Sequence, residues 1–111
     1  MIMAKMEWTK YENFDALLDR ITNGILRGSV SASLENSADF RGLDARCSIR
    51  VFERYSAFGK NRVSLSVTLF QDGNGPVQIC GITSGGSQAI FLKINTIGEE
   101  SFLEKLNKLL I

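Results

Sequence analysis

The chain has 111 residues, 44% hydrophobic and 23% charged, with a formal net charge of +1 and no histidine. This suits one packed domain over residues 1–111 rather than disorder, and near-neutrality removes any global field for nucleic acid or an anionic membrane. Without histidine, Ser-His and Cys-His nucleophile pairs and histidine-bearing zinc motifs are excluded.

The opening MIMAKMEWTKYENF lacks the apolar core and cleavage site of a secretory signal. No stretch approaches the ~20 apolar residues of a membrane span. A cytoplasmic protein is expected, with Cys47 and Cys80 as reduced thiols inside strands.

Phe14, Leu17, Leu18, Ile21 and Ile25 have the spacing of one apolar helix face. Thr9 and Glu12 give a T-x-x-E capping pattern, with Asn13 as a rival start. Gly28, or less favourably Gly24, ends the helix. Ser29–Glu35 alternates as a strand, with Val30, Ala32 and Leu34 on one side. Asn36, Ser37, Asp39 and Gly42 then supply a turn.

The next strand runs from about Ala45 to Tyr55. Cys47, Ile49 and Val51 are expected inward; Arg46, Ser48, Arg50 and Arg54 outward, with Phe52 breaking the pattern among them. After the loop SAFGKN, the run RVSLSVTLF places Val63, Leu65, Val67 and Leu69 inward. Odd positions are inward on both strands, so a hairpin of matching parity is expected. Gln71–Pro76 is a turn. The runs PVQICGITS and QAIFLKI flank a glycine pair, Gly85 and Gly86. The final helix carries Phe102, Leu103, Leu106, Leu109 and Leu110, with Thr96 and Glu99 as its capping pair.

The glycine pair invites a phosphate-loop reading. Such a loop leads into a helix, whereas Gln88–Ile94 is short, aromatic and β-branched. No Lys-Ser or Lys-Thr follows the glycines. A tight hairpin is the better fit, pairing Gly81 with Ile90, Ile79 with Leu92 and Val77 with Ile94. The resulting fold class is α+β: an antiparallel five-stranded meander sheet with N- and C-terminal helices packed on one face, in the order α-β-β-β-β-β-α.

Two surfaces stand out. Cys80, Ile82, Ala89 and Phe91, together with Phe52 and Phe70, fall on the nominal solvent side and form an apolar patch. Either a second copy or an intramolecular cover, such as the N-terminal tail with Trp8 and Tyr11, answers it. The second surface is a row of arginines, Arg46, Arg50, Arg54 and Arg62, above serine and threonine hydroxyls. Four guanidiniums there could hold a small anion, a nucleotide or RNA backbone; a solvated face paired to Glu35 or Glu53 is the simpler alternative. Asp39, Asp44 and Asp72 sit at turns and form no calcium loop. No catalytic, cofactor or metal constellation is visible.

The stretches ILRGSVSASLENSADFRG, RCSIRVFERYS, NRVSLSVTLF and ITSGGSQAIFLKINTIGEESF together resemble a family of small bacterial proteins of unknown function. The resemblance covers most of the chain. It implies a cytoplasmic bacterial protein and assigns no site residue. The expected function is a non-enzymatic binding or assembly module that forms a homo-oligomer through a sheet face or edge. The alternative is an anion, nucleotide or RNA binder using the arginines.

Overall fold

In the computed structural model, which describes residues 3–56, 61–85 and 101–111, Phe14, Leu17, Leu18, Ile21 and Ile25 form the buried stripe of helix α1 (Phe14–Arg27). Asn13 caps it by accepting a hydrogen bond from the Ala16 N–H. Gly28 closes it in a right-handed rather than left-handed conformation. The Thr9–Glu12 pattern is therefore not the cap. Helix α2 (Phe102–Leu110) starts at Ser101, whose hydroxyl accepts from the Glu104 N–H. The expected Thr96–Glu99 cap lies outside the described residues.

Five strands form one antiparallel sheet: β1 (Met3–Lys10), β2 (Ser33–Arg41), β3 (Ala45–Ser56), β4 (Asn61–Asp72) and β5 (Val77–Gly85). Their order across the sheet is β1-β5-β4-β3-β2. The α+β class and the two helices on one face are as the sequence suggests. The order along the chain differs, because it begins with a strand. Ala4, Met6 and Trp8 of β1 pack on the core while Lys5, Glu7 and Thr9 face away. This period-two signal lies in the segment expected to be a tail.

β1 also corrects the pairing of β5. Val77–Ser84 pairs with Lys10–Met3 on one edge and with β4 on the other. Both ladders of β5 are thus occupied, and the expected register of Gly81, Ile79 and Val77 against Ile90, Leu92 and Ile94 does not form. Gly86 and the run Gln88–Ile94 lie outside the described residues. Gly85 has φ of +116°, and a Cβ there would meet the Arg62 carbonyl oxygen at 2.8 Å, so only glycine fits.

The strand expected at Ser29–Glu35 begins later. Ser29 and Ala32 close a turn, and β2 runs through the residues expected to turn. Asn36, Ser37 and Asp39 lie in the strand. Glu35 is an extra residue in a bulge between Leu34, opposite Phe52, and Asn36, opposite Val51. The bulge reverses the alternation, which is why a single period does not describe this segment.

The largest correction concerns β3. Arg50 stands opposite Val67, and Phe52 opposite Leu65. The even positions of β3 therefore share a face with the odd positions of β4. Phe52 is fully buried beneath the helices with Leu65, Val67 and Leu69. Arg46, Ser48, Arg50 and Arg54 lie on this helix-bearing side. Cys47, Ile49 and Val51 face the other way. Phe52, the largest apolar group on the strand, takes the core position. The arginines flanking it have long arms that carry their charge to the margin of the helix layer.

Two glycines seat α2. A Cβ on Gly81 would stand 2.6 Å from Leu106 Cδ2, and one on Gly24 would stand 2.4 Å from Leu109 Cδ2. Gly24 thus marks a close helix–helix approach rather than a helix end. Cations meet the C-terminal end of α2: Lys10 donates to the Leu110 carbonyl and Arg20 to the Leu109 carbonyl.

Candidate functional site

Both helices cover one side of the sheet, so the opposite side forms an open face bearing no described helix. The alternation of each strand decides what it carries. β3 contributes Cys47, Ile49 and Val51; β4 contributes Ser64, Ser66, Thr68 and Phe70; β5 contributes Gln78, Cys80 and Ile82. β2 adds Phe40 opposite Cys47 and Ala38 opposite Ile49. Phe40 is 62% exposed and Phe70 40% exposed. The apolar groups concentrate near the β2–β3 and β4–β5 turns, and hydroxyls occupy the far end.

Phe70 separates two grooves in this face. One, of about 210 Å3, lies between Phe40 and Phe70 over Cys47, with Gly42 and Ala45 at its margin. The other, of about 260 Å3, lies between Phe70 and β1, lined by Thr68, Gln78, Cys80, Glu7 and Thr9. Burial pushes the Cys80 thiol above its ordinary pKa, and the Glu7 carboxylate adds to the effect. Cys47 and Cys80 are both free. They lie on the same face, on strands separated by β4.

Of the residues expected to form an apolar patch, Phe70, Cys80 and Ile82 lie on the open face. Phe52 does not, being buried in the core. Ala89 and Phe91 lie outside the described residues. The N-terminal segment does not cover the face, because it is strand β1 and Trp8 points to the helices, where its Nε1 donates to Asn107 Oδ1 at 2.8 Å. Phe40, Cys47, Ile49 and Val51 are the members that sequence reasoning missed. The misplaced Phe52 was the available signal: assigning it inward moves all three β3 residues outward.

The four arginines are not gathered on one face. Arg46 grips Asp15 of α1 with both terminal nitrogens and lies over the Phe14 ring. Arg50 reaches Asp39 at 3.1 Å and the Ile49 carbonyl at 2.9 Å. Arg54 lies over the Phe102 ring, 4.6 Å from its centroid. Arg62 is on the open side, bound to Glu53 at 2.8 Å. Each guanidinium already has a carboxylate or an aromatic partner. Asp39 is held below its ordinary pKa by hydrogen bonds from Ser48 and then Arg50.

A recess of about 610 Å3 lies between the β2–β3 and β4–β5 turns. Arg41 and Arg46 line it together with Asp44 and Asp72. Its opposite charges offset one another, which leaves no net field for an ionic ligand. Among the described residues no cluster of histidine, cysteine or carboxylates could hold a metal ion, and no helix is long and apolar enough to cross a membrane.

A family model matches residues 3–111, nearly the whole chain. The chain belongs to DUF6054, a family of unknown function. No curated protein matches it. In this DUF6054 member the candidate site is an open sheet face with exposed aromatics, while the arginines are engaged within the fold.

Proposed function

We propose that this chain is a small, non-enzymatic module of the bacterial cytoplasm that self-associates through the open face of its sheet. The carrying observation is that face's apolar cluster, with Phe40 and Phe70 exposed beside Cys47, Ile49 and Val51. Exposed aromatics grouped on one sheet face are costly in water and favour burial against a second surface.

Three features favour a second copy as the occupant. Strands β2, β3 and β4, nine to twelve residues long, give a face of about 14 Å by about 40 Å, roughly 550 Å2 per partner, which clears the ~1,000 Å2 in total that a specific interface needs. Four of the charged groups on the face form opposite pairs, Lys5 with Glu7 and Arg62 with Glu53, and Asp72 adds one carboxylate at the end of β4, so two identical faces carry little like charge. The sheet edges are blunted, β2 by its Glu35 bulge and β1 by Lys5, Glu7 and Lys10. Those edges make face packing preferable to edge pairing.

An anion-binding reading is less well supported, because the arginines are split between the two faces and already partnered. Phosphate and nucleotides are expected to leave the melting temperature unchanged. Sedimentation across a wide concentration range tests the proposal. The mass should rise from one chain, 12.3 kDa, toward two, and a single-chain mass throughout would refute it.

A further inference from the structure

We infer that the two-fold axis of this dimer lies over β3, so that Phe40 of each copy enters the groove between Phe40 and Phe70 of the other. The inference rests on the dimeric reading. A two-fold contact is self-complementary, and residues on the axis meet their own counterparts. The strand on the axis must therefore present groups that pack well against themselves. On β3 these are Cys47, Ile49 and Val51, all apolar, followed toward the far end by Glu53, whose charge is held by Arg62 of the same copy. On β4 three of the four corresponding residues are Ser64, Ser66 and Thr68, whose hydroxyls would have to be satisfied in a dry contact.

The neighbouring strands select the same axis. With β3 on it, β2 of one copy lies over β4 of the other, which sets Phe40 against Phe70 at the apolar end. With β4 on it, β2 would lie over β1, setting Phe40 against Thr9 and burying Glu7 and Lys5. Aromatic pairs contribute beyond the area they bury, and desolvating an imperfectly paired charge is costly. The groove over Cys47 has room for a phenyl ring and an almost wholly apolar lining. This geometry brings Cys47 close to its counterpart. Cys80, two strands from the axis at about 4.8 Å per strand, remains well separated from its own.

The native cysteines provide the test. Cys80→Ser leaves only Cys47, and Cys47→Ser leaves only Cys80. Each protein is labelled with a maleimide at low and high concentration, and light scattering gives the mass of the same samples. Each thiol is compared with itself, so the raised Cys80 pKa does not affect the outcome. Cys47 should lose most of its labelling rate as the mass rises, while Cys80 keeps its own. A short bis-maleimide should link Cys47 pairs and leave Cys80 unlinked. A dimer that protects or links Cys80 and not Cys47 would overturn the axis while leaving the dimer in place. A mass of one chain at every concentration, for the variants and the wild type alike, would overturn both.

Discussion

Arg46 lies across Phe14, its guanidinium carbon 3.8 Å from the ring centroid, while its terminal nitrogens hold Asp15 at 2.9 and 3.2 Å. This contact ties β3 to the first turn of α1. Arg46→Ala should lower unfolding free energy by about 1–2 kcal/mol through the lost ring contact and packing. Arg46→Lys should recover only part of it, because an ammonium lacks the planar fork. Urea denaturation reads both; an alanine variant as stable as wild type would contradict this role.

Three carboxylates share a pH response. Glu12 is held below its ordinary pKa by Arg20, Asp15 by Arg46, and Asp39 by Ser48 and Arg50. A carboxyl lowered in the folded state stabilises it above the unfolded value and loses that contribution as pH falls through the folded one. The melting temperature should therefore decline below about pH 4, near the unfolded values of aspartate and glutamate. Asp39→Asn should flatten part of that decline. An acid branch identical in wild type and Asp39→Asn would remove Asp39 from the account.

The two glycines beneath α2 should respond differently to alanine. At Gly81 the obstructing side chain, Leu106, is fully buried, so the variant should lose about 1–3 kcal/mol by overpacking. At Gly24 the obstruction is the half-exposed Leu109, which can swing away, and alanine gains up to about 1 kcal/mol of helix propensity. Thermal unfolding should rank Gly24→Ala well above Gly81→Ala, and the reverse order would show that α2 is seated otherwise.

Trp8 is the only tryptophan and reports on β1. Replacing it with phenylalanine keeps an aromatic ring but removes the donor to Asn107. The expected cost is about 1 kcal/mol, the net value of one such hydrogen bond. No change in urea midpoint would mean that this bond adds nothing.

The sequence made some elements legible and hid others for physical reasons. The α1 stripe was readable because five apolar residues repeat at helical spacing and all are buried. β4 was readable because its alternation has no exception. β3 misled because Cys47, Ile49 and Val51 look like an inward row, yet the core took Phe52 and tolerated arginines whose charges reach Asp15, Asp39 and an aromatic ring. That inversion also separated Arg62 from the other three arginines. β2 was obscured by a bulge that reverses its alternation. β1 was obscured by a capping pattern at Thr9 and Glu12 that belongs to a strand and a loop. On the open face, Phe70, Cys80 and Ile82 followed from simple alternation; Phe40 and the β3 row required the true β3 register.

The most direct test of self-association through the open face is the light-scattering mass of wild type and Phe40→Glu, measured together at high concentration. Phe40 is exposed on a sheet face, so the variant should keep its fold and circular dichroism while placing like charges at the contact. Wild type should approach twice 12.3 kDa, and Phe40→Glu should remain at the mass of one chain. Equal masses for the two proteins, whether one chain or two, would contradict the account.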